Sequence, residues 1–75
     1  MVILKNIVKT VSSISADYYP EGKTPKGFMK LSLPDNEIIE HVGNECSMAP
    51  AHVRLELLRL AKLDNPPIEK TVLWY

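Results

Sequence analysis

Apolar residues recur along this chain at two distinct periods. From Val53 through Leu57, Leu60 and Ala61 they fall three and four residues apart, which is the spacing of a buried stripe on a helix. The flanks agree with a helix over residues 47–63. Ser47-Met48-Ala49-Pro50 supplies a capping serine and a proline in the first turn, where an amide hydrogen has no helical partner. Asp64-Asn65-Pro66-Pro67 forbids continuation at the other end. Residues 28–33 instead alternate, with Phe28, Lys30 and Ser32 on one face and Met29, Leu31 and Leu33 on the other, so they predict a strand. Pro34-Asp35-Asn36 reads as a tight hairpin connection, the proline pre-set for an early turn position and the asparagine tolerant of a left-handed conformation. Residues 37–42 return as the next strand. Residues 69–75 form the last, with Val72 and Trp74 on one side and Leu73 and Tyr75 on the other.

The first nineteen residues are rich in β-branched types (Val2, Ile3, Ile7, Val8, Thr10, Val11, Ile14), which favours an extended conformation. Leu4, Ile7, Val8 and Val11 also fit a helical stripe, and the pattern leaves open one long strand, a strand bent at Ser12-Ser13, or a helix; strand is the reading adopted. Residues 19–27 carry two prolines and two glycines and read as a loop. The order is then β-β-β-α-β: a single α+β domain over residues 1–75, with a small, mostly antiparallel four-stranded sheet and one helix packed on one face. The last strand is expected beside the first, in the order 4-1-2-3, parallel to the first and third; a place beside the third is the alternative.

Length and charge narrow the function classes. A 75-residue chain buries a limited fraction of its surface and gains from a staple or a partner. A single cysteine, Cys46, forms no intramolecular disulfide, and with no signal-peptide pattern this points to a reducing, cytoplasmic setting. The apolar start Val2-Ile3-Leu4 is cut by Lys5 and Asn6, far short of the run of about 20 that spans a bilayer, so no membrane role is expected. Nine basic residues balance nine acidic ones, which leaves no global field to gather nucleic acid.

Candidate chemistry is sparse. Gly22-Lys23-Thr24 resembles the end of a phosphate-binding loop, yet Asp17 stands where that motif needs its first glycine and Pro25 blocks the helix that should follow. His41, Glu45, Cys46 and His52 are the metal-capable cluster, but they lack a Cys-x-x-Cys or close His pair, so no metal or cofactor is expected. The catalytic candidates are Cys46 as a thiolate near the helix amino terminus, with His41 or His52 as its base. His52, Glu56 and Arg59 share one polar ridge of the helix, the arrangement of a solvated face. Tyr18, Tyr19, Lys23 and Lys26 concentrate aromatic and basic groups in and beside the loop at 18–27, a composition suited to single-stranded nucleic acid, diluted by Asp17 and Glu21.

The strands supply the stronger argument. Val2, Leu4 and Val8 oppose Ile3, Ile7 and Val11, and the last strand is apolar on both sides too, while one helix covers only one face. The simplest lid is a second copy or another protein. The expected interaction residues are Val72, Trp74 and Tyr75, with Leu55 and Leu58 on the flank of the helix stripe, although those leucines also suit an ordinary broad helix face. The sequence thus reads as a non-enzymatic interaction module that self-associates, as a homodimer in the simplest case; the alternatives are a nucleic-acid binder using Tyr18, Tyr19, Lys23 and Lys26, and a cysteine- or metal-dependent enzyme around Cys46.

The segments Asp17-Tyr18-Tyr19-Pro20-Glu21-Gly22-Lys23-Thr24-Pro25-Lys26-Gly27-Phe28 and Met48-Ala49-Pro50-Ala51-His52-Val53-Arg54 resemble small uncharacterised proteins of Gram-positive bacteria. The likeness covers most of the chain. It implies a small bacterial cytoplasmic protein and carries no activity, catalytic residue or cofactor.

Overall fold

A computed structural model describes residues 1–22, 26–43 and 49–73. Among them the chain forms β1 (Val2–Lys9), β2 (Ser13–Pro20), β3 (Gly27–Ser32), β4 (Glu37–Val42), α1 (Ala49–Leu60) and β5 (Lys70–Val72). The α+β class and the single helix over an antiparallel sheet agree with the sequence pattern. The sheet has five strands rather than four, because residues 1–19 fold back on themselves.

That reversal is local chemistry. The Thr10 hydroxyl accepts from the backbone amides of Ser12 (3.3 Å) and Ser13 (3.1 Å), and the Thr10 amide donates to the Ser13 carbonyl at 2.8 Å. These bonds close a tight turn with Val11 fully exposed at its tip. Neither a long strand nor a helix results. Tyr19 and Pro20 belong to β2 rather than to the following loop, whose start at Glu21 and Gly22 takes left-handed φ values of 54° and 72°.

The strand order is β4-β3-β2-β1-β5, with every neighbouring pair antiparallel. The final strand lies beside the first, as the connection rules suggested, but it runs antiparallel to it. The cause is parity: an extra strand in the meander starts the helix from the opposite end of the sheet. The helix must carry the chain from one edge to the other, and it packs on β1, β2, β3 and β5 while making no contact with β4.

The core lies between α1 and that part of the sheet. Val53, Leu57 and Leu60 are fully buried against Val2, Leu4, Ile14, Ala16, Met29 and Leu31, with Ala61 packed at their edge. Burying each large aliphatic side chain contributes about 1.5–3 kcal/mol. Residues 61–63 end the helix in tighter turns before Asp64, and residues 47–48 lie outside the described set. The 34–36 turn behaves as expected, with Asn36 left-handed at φ 56° and its carbonyl accepting from the Arg54 guanidinium at 3.1 Å. The last strand is shorter than the expected 69–75: it spans Lys70–Val72, Leu73 follows it, and residues 74–75 lie outside the description.

In β1 the expected division of faces fails at one point. Lys5 pairs with Asp17 and Val8 with Ser15, so Asn6 and Ile7 together oppose Ala16. This bulge, with Asn6 left-handed at φ 55°, inverts the alternation. Ile7 therefore joins Val2 and Leu4 in the core, whereas Val8 is exposed.

Candidate interaction surface

The sheet's uncovered face can be read from the register. Lys5, Asp17, Phe28 and Val42 stand side by side across β1 to β4, and Val8, Ser15, Lys30 and Glu40 form the next row. Ile3 lies between Tyr19 and Thr71. Apolar and charged side chains are thus interleaved, and the second face is not the uniformly apolar surface that the strand composition suggested.

Its polar groups are organised around Asp17. The Asn6 amide donates to Asp17 Oδ2 at 2.8 Å, and the Lys26 ammonium does so at 3.1 Å. The Asn6 hydrogen bond is the largest cause holding the Asp17 carboxyl below its ordinary pKa; partial desolvation opposes it, and Lys26 adds a second hydrogen bond and its charge. Beside this cluster the Lys5 ammonium lies 5.4 Å from the centre of the Tyr19 ring.

Strand β4 differs from its neighbours. Every residue in it except His41 is exposed, and Ile38 (45%), Ile39 (57%) and Val42 (62%) are large apolar side chains left in solvent. The register explains the Ile38-Ile39 pair, since Leu31 opposes Ile38, Lys30 opposes Glu40, and Ile39 is the extra residue of a second bulge. Two consecutive isoleucines between Glu37 and Glu40 are the sequence signal for this break in alternation. They stand outside the expected interaction set.

His41 anchors the strand from the helix side. The fully buried Tyr18 phenol lies 2.6 Å from His41 Nε2, and the two rings stack at 24° with centroids 5.9 Å apart. Gly27 and Gly43 make room for the tyrosine, because a Cβ on either would run into its ring or hydroxyl. Tyr18 thus has no face free for a nucleobase. Tyr18 and Tyr19 both lie in β2 and face opposite sides of it, so the two tyrosines grouped in and beside the 18–27 loop do not share one face.

The remaining expected residues are dispersed. Val72 is a core residue on the helix side, Leu58 is half-buried against the core, and Leu55 is 61% exposed on α1. His52 is half-buried on α1, where Glu56 and Arg59 form an ion pair on the polar ridge. Lys23, Glu45, Cys46, Trp74 and Tyr75 lie outside the described residues. Among the described residues no three His, Cys, Asp or Glu side chains converge to hold a metal, and no helix is long and apolar enough to cross a membrane.

A cleft of about 630 Å³ separates the β1–β2 turn from residues 64–66. Lys9 at its margin donates to the Leu63 carbonyl at 2.7 Å, and the Thr10 hydroxyl is engaged with Ser13. The cleft lining thus ties two chain segments together through its polar groups. Compared with family models, curated proteins and solved structures, the chain matches none.

Proposed function

We propose that the chain is a non-enzymatic interaction module that associates with a second copy through the sheet surface α1 leaves uncovered. The supporting observation is the mismatch between one short helix and a five-stranded sheet: α1 does not reach β4, where Ile38 and Ile39 remain in solvent, and Val42 is exposed on the opposite face of the same strand. Removing such apolar area from water is the ordinary driving force for association. Light scattering across a dilution series tests this. A mass that falls from two chains to one on dilution is the expected result, and a monomer at every concentration overturns it.

A second reading draws on the composition of the open face. Tyr19 and Phe28 beside Lys5, Lys26 and Lys30 offer stacking surfaces and phosphate partners to a single strand of nucleic acid. Its signature is binding that weakens steeply with salt. Retention of a single-stranded oligonucleotide should disappear in the Lys26→Glu, Lys30→Glu double variant; retention that is unchanged excludes this face as the binding site.

A further inference from the structure

We propose that two copies join their β4 strands antiparallel about a two-fold axis between Ile39 and Glu40, making one continuous sheet. This inference rests on the self-association reading and names the edge that carries it.

Among the described residues β4 is hydrogen-bonded to β3 on one side only, and its six residues form a longer free edge than the three of β5. Such an edge presents backbone donors and acceptors to another strand. The side chains then select the register. Ile38 and His41 oppose the buried Leu31 and Met29, so they lie on the helix side; Glu37, Glu40 and Val42 oppose Ser32, Lys30 and Phe28 on the other side.

Directly opposed residues of an antiparallel pair share a face. With the axis between Ile39 and Glu40, Ile38 meets the partner's His41, Glu37 meets the partner's Val42, and Ile39 meets the partner's Glu40. Ile38 and His41 then meet on the helix side and Glu37 and Val42 on the other, the bulged Ile39 falls beside Glu40, and no carboxylate directly opposes another. Moving the axis onto Ile39 sets Ile38 against the partner's Glu40, which lies on the wrong face. Moving it onto Glu40 opposes the two Glu40 carboxylates, and placing it between Ile38 and Ile39 opposes Glu37 to Glu40 twice. Pleat and charge together leave one register that pairs all six residues.

The test uses the full chain in a Cys46→Ser background. Mixing Glu37→Cys copies with Val42→Cys copies and oxidising them should give a cross-linked heterodimer, with far less cross-linking in either variant alone. Ile39→Lys, checked for folding by circular dichroism, should weaken association about tenfold or more by placing a charge at the joint. Dimers that form without this cross-linking pattern, or that tolerate Ile39→Lys, overturn the edge assignment and leave self-association standing. A chain that stays monomeric throughout overturns both, and shows the Ile39 bulge and the two glutamates acting as edge protection.

Discussion

Asn6 Nδ2 donates to Asp17 Oδ2 across 2.8 Å, and this bond spans the bulge that turns Ile7 into the core. The left-handed backbone of Asn6 suits asparagine or glycine and penalises a β-branched side chain. Asn6→Val should therefore cost about 2–3 kcal/mol, summing about 1–2 for the backbone and about 1 for the lost hydrogen bond. Asn6→Gly should retain the backbone share and lose only the bond. Urea unfolding of both variants measures the difference, and equal losses would remove the role assigned to the left-handed conformation.

The same pair makes stability sensitive to acid. Folding lowers the Asp17 pKa, through the Asn6 bond first and Lys26 second, against partial desolvation. As pH falls, the unfolded carboxyl, at its ordinary value of 3.8, then takes up its proton before the folded one does. Its contribution is complete above that value and is lost as pH falls through the lower folded value. Thermal melts of wild type and Asp17→Asn should differ at neutral pH and converge in strong acid. A gap independent of pH would assign the effect to neutral hydrogen bonding alone.

How far the sequence disclosed this architecture depends on where local chemistry outweighed periodicity. The helix stripe, the 28–33 alternation and the left-handed Asn36 were legible because each follows from spacing or from one residue's conformational preference. The first hairpin was legible only as the open alternative of a bend at Ser12-Ser13, because its turn has neither glycine nor proline and is closed by the Thr10 hydroxyl. Once that strand pair was read as one, the direction of the last strand was inverted with it. Bulges at Asn6 and Ile39 each cancel a period-two reading, and they are what moved Ile7 inward and left Ile38 and Ile39 at the edge. The candidate chemistry near Cys46 and Trp74 falls outside the described residues.

Gly27 and Tyr18 should behave as one unit. A Cβ at position 27 would fall within the buried Tyr18 ring, so Gly27→Ala forces the ring or the strand to move. Overpacking of this kind costs about 1–3 kcal/mol. Shrinking the ring removes the conflict, so Gly27→Ala should cost much less in a Tyr18→Leu background than in the wild type. Additive losses in this double-mutant cycle would show that the glycine serves a different purpose.

Leu55 and Leu57 separate core from surface on one helix. Leu57 is fully buried, and Leu57→Ala should cost about 2–5 kcal/mol through lost contacts and the cavity left behind. Leu55 is 61% exposed on a helix that does not touch β4, so Leu55→Ala should change stability by no more than about 0.5 kcal/mol. The same geometry bears on association, because a joint along β4 lies away from this side chain. Leu55→Asp should leave the dilution midpoint of the dimer unchanged under conditions where Ile39→Lys shifts it. If Leu55→Asp dissociates the dimer while the fold is retained, the contact surface runs along the helix flank, and the β4 register must be abandoned in favour of that face.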